Sequence, residues 1–243
     1  MAAFLSALGL PTEQLEAWRQ AGLALERVLG AYERWEPLWA LGWAYGSFSS
    51  VHLYDSAVDR VRSGDPEGGE QLLEDGWNKG NRLSVQLLRL GQISVPTDVR
   101  KRVGDRRTHL VRLALEDHQA GRFHASVPVV IAQTEGIVRD VFGTSPYTAD
   151  GGPADEVTAV GHPEARALFD AGRRPRGRTH VGDDPPFPSR HGVVHGRSLG
   201  YDTRRNSTKV FVALFAVIEA CGQQLRAMSR GEIDALDRDV FEA

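Results

Sequence analysis

Apolar residues return at three- and four-residue steps along most of this chain, and no stretch alternates in the manner of a half-buried strand. That pattern predicts an all-α fold. Leu10-Pro11-Thr12 reads as a helix start, after which Leu15, Trp18, Gly22, Leu25 and Leu29 line one face for roughly five turns. A second helix is expected near Pro37. Trp35, Trp39 and Trp43 follow one another about 40° apart around its axis, an aromatic stripe suited to a core or subunit interface more than to stacking on bases. Helical period continues from Phe48 to Val61, stops at Ser63-Gly64-Asp65-Pro66, and resumes from Glu70 to Leu90, weakened by Gly76 and Gly80.

Gly91 to Pro96 is the best linker candidate, which divides the chain into an N-terminal helical region, 1–95, and a helical domain, 96–243. The next helix, Asp98 to Gln119, sets Val103, Leu110, Leu113 and Leu115 among its arginines. From Phe123 the apolar set is Val127, Val130, Ile131, Ile137, Val138, Val141 and Phe142, with Pro128 expected to kink or restart the helix. Gln133, Thr134 and Glu135 interrupt that set. Glu135 either faces solvent or, if the two segments are neighbours, pairs with Arg190 or orients a histidine, since an unpaired buried carboxylate is costly. Residues 143–189 form an irregular loop in which only Pro163 to Ala171 reads as a helix. Val210 to Ile218 are nine successive apolar residues, the mark of a helix packed on most sides, with Asp202 or Thr203 as its N-cap.

Composition narrows the class. With 243 residues, 41% hydrophobic and 25% charged, the chain can bury a substantial core and reads as an ordinary globular protein. The single cysteine, Cys221, excludes an internal disulfide, and no Cys/His spacing fits structural zinc. No basic leader precedes an apolar run, and no stretch reaches the roughly 18 uninterrupted apolar residues of a spanning helix, so a cytoplasmic protein without membrane insertion is expected. No GxGxxG, P-loop, GxSxG or internal repeat occurs. The net charge of −3 is unevenly spread: Arg173 to Lys209 carries nine Lys/Arg against three Asp, and Asp98 to Arg112 six against two. Such zones suit either a phosphate backbone or a solvated face.

The densest chemistry is Arg190-His191-Gly192-Val193-Val194-His195. On an ideal helix Arg190 and His195 lie about 140° apart and the two histidines about 40° apart. Joint action of Arg190 and His195 therefore requires the arginine in the first turn, where Pro188-Ser189 supplies a helix start. Arginine can bind phosphate oxygens bidentately and histidine can exchange a proton near neutrality. Two other readings stay open. His191 and His195 have the i, i+4 spacing of a metal half-site, although the glutamate of HExxH is absent, and the cluster could equally be a satisfied polar patch in a helical interaction module.

RHGVVH, followed by RSLGYDT, RRNSTK and a hydrophobic helix, resembles the Arg-x4-6-His motif of the HEPN (higher eukaryotes and prokaryotes nucleotide-binding) superfamily, and Gly121 to Gly143 resembles the preceding helix of bacterial HEPN-like proteins. The likeness covers about the last 125 residues. It implies a helical bundle whose homodimer assembles a metal-independent endoribonuclease site with no cofactor, in a toxin or anti-phage defence protein that answers to a neutralising or activating partner. Arg190 and His195 would be catalytic, and His191, Glu135, Tyr201 and Asn206 supporting. Arg173, Arg174, Arg176, Arg178, Arg197, Arg204 and Arg205 are the expected RNA contacts.

Overall fold

The structure, a computed structural model, describes residues 30, 33–88, 98–143 and 185–241. Among these residues every regular element is a helix and there is no strand, so the chain is all-α. The helices are α1 (33–40), α2 (Val51–Arg62), α3 (Pro66–Asn78), α4 (Arg82–Leu87), α5 (Asp98–Gln119), α6 (Phe123–Phe142), α7 (Arg190–Val194), α8 (Arg204–Ala227) and α9 (Arg230–Phe241). The expected helices over 12–29 and 163–171 and the linker at 91–96 lie outside the described residues.

Local chemistry accounts for the boundaries. Asp65 caps α3 by accepting from the Gly68 amide at 2.8 Å, and Pro66 stands at the first helical position, where a missing N–H costs nothing. Thr203, rather than Asp202, caps α8 by accepting from the Asn206 amide at 3.1 Å. Pro128 lies inside α6, which runs unbroken past it. The helix expected from Glu70 to Leu90 is instead two, α3 and α4, divided where Gly80 takes a φ of 65°.

Gly76 is not a weak point. A Cβ there would fall 2.4 Å from Leu53 Cδ2, and one at Gly69 would fall 2.9 Å from the Ala57 carbonyl oxygen. The two glycines, seven residues apart on one face, admit α2 to close contact with α3. The tryptophan stripe also differs from expectation, because α1 stops at residue 40 and Gly42 turns the chain at a φ of 80°. Trp43 reaches the core from beyond the helix. Trp35, Trp43, Tyr45 and Tyr54 are buried together, and Trp39 stacks on Tyr45.

α8 is the axis of the fold: every residue from Val210 to Ile218 is buried, against α6 on one side and α3 on another. It is long and apolar enough to cross a membrane, but 72% of its most apolar window is buried inside the protein, so it is a core helix. α6 in turn carries α5, α7 and α9. One hydrophobic cluster joins Trp35, Tyr54 and Trp77 to Val111, Val130 and Phe211, so residues on both sides of the expected division at 95 share a core. On α5 the buried face is Val111, Ala114, Leu115 and His118, while Leu110 and Leu113 are exposed.

Candidate functional site

The turn that carries the motif is built by its own small residues. Ser189 is the N-cap of α7 and its hydroxyl accepts from the Gly192 amide at 3.3 Å. Gly192 lies against Ser198, and its carbonyl accepts from the amides of Arg197 and Ser198 at 2.8 and 3.0 Å, which folds the chain back on itself. Val193 is the buried anchor. Arg190 therefore occupies the first turn, the placement that cooperation with His195 requires.

α6 meets this turn with Glu135. Its Oε2 accepts from Arg190 Nε at 2.6 Å, in a pair whose side chains are 38% exposed for the arginine and 15% for the glutamate. Of the two fates open to Glu135, solvent or a partner, the structure shows the partner. The polar residues beside it are settled too: Gln133 accepts from Arg107 at 3.0 Å, and the Thr134 hydroxyl donates to the Val130 carbonyl at 2.8 Å. His191 and His195 are exposed, with ring centroids 4.4 Å apart. Arg190 and the two imidazoles thus come from one short turn, with the carboxylate from α6.

The supporting residues shape the loop that follows. Pro128 has no N–H to offer the His124 carbonyl, and Tyr201 Oη donates to that carbonyl at 3.4 Å instead. Asn206 Nδ2 donates to the Gly200 carbonyl at 3.3 Å. Arg197 is exposed next to the turn. Arg204 and Arg205 are engaged elsewhere. Arg205 bonds Glu67, Glu70 and Glu74 of α3, with Nη2 to Glu67 at 2.7 Å, and Arg204 pairs with Glu74 and Asp75. The Glu67 contact holds Arg205 above the ordinary arginine range and Glu67 below the ordinary carboxylate range. Arg173, Arg174, Arg176 and Arg178 lie outside the described residues. Among the described residues no group of three or more His, Cys, Asp or Glu could hold a metal ion.

Two buried polar centres were not anticipated. His118 of α5 bonds Ser207 Oγ of α8 through Nδ1 at 2.8 Å and Asn78 Oδ1 of α3 through Nε2 at 2.6 Å, and Ser126 of α6 reaches Ser207 at 2.6 Å. Asn78 Nδ2 donates to the Glu74 carbonyl and to Thr208 Oγ1, so its Oδ1 is the acceptor and His118 Nε2 carries the proton. Burial, reinforced by the nearby Arg204 charge, lowers the His118 pKa to about 4. The second centre is Lys209 of α8, 3% exposed, whose Nζ pairs with Glu70 and lies 5.5 Å from the centroid of the Trp43 ring. Burial pushes its ammonium down from the ordinary lysine value, and Glu70 opposes that shift. One signal in the sequence does point to His118: it stands three and four residues beyond Leu115 and Ala114, in register with the buried face of α5. No family model, curated protein or solved structure matches this chain.

Proposed function

We propose that the chain is a metal-independent endoribonuclease of the HEPN type, acting as a homodimer in the cytoplasm. The observation that carries the reading is the Arg190–Glu135 pair at 2.6 Å, on the same turn that presents two exposed imidazoles with centroids 4.4 Å apart. A guanidinium held by a carboxylate is pre-oriented for phosphate oxygens and supplies charge stabilisation as a phosphorane-like transition state forms. His195 takes the ribose 2′-OH proton, O2′ attacks phosphorus, and the P–O5′ bond breaks. His195 of the partner subunit gives its proton to O5′, leaving a 2′,3′-cyclic phosphate and a 5′-OH end. His191 orients its neighbour, and Arg197 with Arg173, Arg174, Arg176 and Arg178 draws in the RNA strand. A toxin or anti-phage defence role, under a neutralising or activating protein, follows from the same resemblance.

Val194 and Leu199, 55% and 64% exposed on either side of His195, favour a covered surface at this turn. The dimer mate would seat there. The same exposure favours a second reading, a non-catalytic HEPN-like interaction or nucleotide-binding module. One assay separates them: wild type should cleave RNA in EDTA, sediment as a dimer at micromolar concentration, and yield cyclic phosphate ends. Arg190→Ala and His195→Ala, still folded and dimeric, should each lose at least about 100-fold in rate. A His195→Ala protein that cuts at the wild-type rate sinks the mechanism, and cleavage restored only by zinc or manganese would replace it with metal hydrolysis.

A further inference from the structure

α7 is preceded by Pro185-Pro186-Phe187-Pro188, a segment with little freedom of its own. Each proline fixes its own φ near −65°, and the residue before a proline is confined to extended conformations. Pro185 and Phe187 both precede prolines, so all four positions are restricted. A displacement at one end is therefore passed to Arg190, two residues beyond Pro188, instead of being absorbed.

Two neighbours close on the Pro186 carbonyl of this segment. Lys209 Nζ donates to it at 2.7 Å, while its charge is met by Glu70 Oε1 at 2.5 Å. Glu70 Oε1 also accepts from Trp43 Nε1 at 3.1 Å, and Arg205 stands 3.4 Å from the other carboxylate oxygen. Gly42 meets the same carbonyl: its φ of 80° excludes most side chains, and its missing Cβ would fall 2.6 Å from the Pro186 oxygen and 2.9 Å from Phe187 Cβ. Phe187 packs against the core and Pro188 is buried. A buried ammonium carries a large desolvation penalty, and an apolar residue of similar length at 209 would avoid it. What that residue could not do is hold the Pro186 carbonyl or answer the charge of Glu70, so a second variant at Gly42 is needed to separate the two.

We propose that Lys209 is a positioning residue for the Arg190–His195 turn, acting through the Pro186 carbonyl and the rigid proline segment, with the side-chain-free Gly42 as the seat on which that segment rests. The proposal rests on the ribonuclease reading for its kinetic consequence and on the geometry alone for its structural one. Lys209 sets where α7 stands, and so governs turnover more than RNA affinity, because a misplacement of about 1 Å in a reacting group can lower a rate about 100-fold.

The test uses the full chain with Lys209→Met and, as a variant that leaves the buried ion pair intact, Gly42→Ala. Both should keep the wild-type far-ultraviolet circular dichroism. Each should lower kcat by at least about ten-fold with KM within about two-fold of wild type. Amide hydrogen exchange should accelerate at Gly192 and Val193 of α7 while the amides of α6 and α8 keep their protection. Exchange that accelerates equally in α6 and α8 would reduce Lys209 to a general stabilising role and overturn the proposal. So would two folded variants with wild-type kcat and unchanged exchange at α7. A wild-type protein that cleaves no RNA overturns the ribonuclease reading and the kinetic half with it, while the exchange measurement still decides whether Lys209 sets α7.

Discussion

His118 can accept a proton only against the low polarity of its surroundings. Its folded value of about 4 lies below the ordinary 6.5, so the unfolded chain binds the proton more readily than the folded one. The stability contributed by this imidazole staying neutral is complete above about pH 6.5, falls as pH drops toward 4, and changes no further below that. Between pH 7 and pH 5 the loss assigned to this one imidazole is about 2 kcal/mol. His118→Gln should lower stability at pH 7 by about 1–3 kcal/mol by disturbing the hydrogen bonds to Ser207 and Asn78, yet fall less steeply between pH 7 and pH 5 than wild type. Urea midpoints of the two proteins across that range check this, and parallel slopes would remove His118 as the cause. The positions of Gln133, Thr134 and Glu135 show how far a sequence can be read at this scale. That Glu135 must either face solvent or take a partner follows from an acid set in an apolar helix, and only the meeting of α6 with α7 decides for the partner. The His118 network was illegible because its members come from α3, α5, α6 and α8, and no local pattern joins residues 78, 118, 126 and 207.

Among the elements, α5, α6 and α8 were the most legible, because long periodic runs with cap and breaker residues carry their boundaries locally. Thr203, which with Asp202 is one of two residues suited to the cap, forms it. Helix packing was less legible: glycines that weaken a helix by propensity also let two helices approach, and only the neighbour reveals which effect rules. Gly69 and Gly76 allow the two to be told apart. Alanine at either position gains up to about 1 kcal/mol of helix propensity. At Gly76 the obstacle is the end of the Leu53 side chain, which can rotate, so Gly76→Ala should change stability by less than about 1 kcal/mol. At Gly69 the obstacle includes the Ala57 backbone carbonyl, so Gly69→Ala should destabilise by about 1–3 kcal/mol. Thermal melts of the two variants should separate clearly, and equal melting temperatures would mean that α2 and α3 simply move apart. The site shows the same division of legibility. The candidate residues come from one short motif, whereas the contacts around them, Arg190 with Glu135 of α6 and Pro186 with Lys209 of α8, depend on how distant segments meet.

At the scale of the molecule, α8 organises both the core and the charges at its own first turns. Arg204, Arg205 and Lys209 are met there by Glu67, Glu70, Glu74 and Asp75, so a basic stretch that looks outward-facing in the sequence is largely answered from within. This bears on how RNA binding would respond to ionic strength. A cation releases condensed counterions from a nucleic acid only when it replaces them at a phosphate, and each such contact with a single strand adds about 0.7 to the slope of log affinity against log salt. Side chains already neutralised by α3 contribute little to that slope. Arg205→Ala should therefore leave the salt dependence of RNA binding unchanged while lowering stability, whereas Arg197→Ala, at an exposed position beside the α7 turn, should reduce the slope by about 0.7 if that side chain contacts one phosphate. Titrations at several salt concentrations check both, and a reduced slope for Arg205→Ala would mean that RNA draws this arginine away from α3. The apparent excess of nine Lys/Arg over three Asp between Arg173 and Lys209 thus overstates the charge that the folded protein offers to a polyanion.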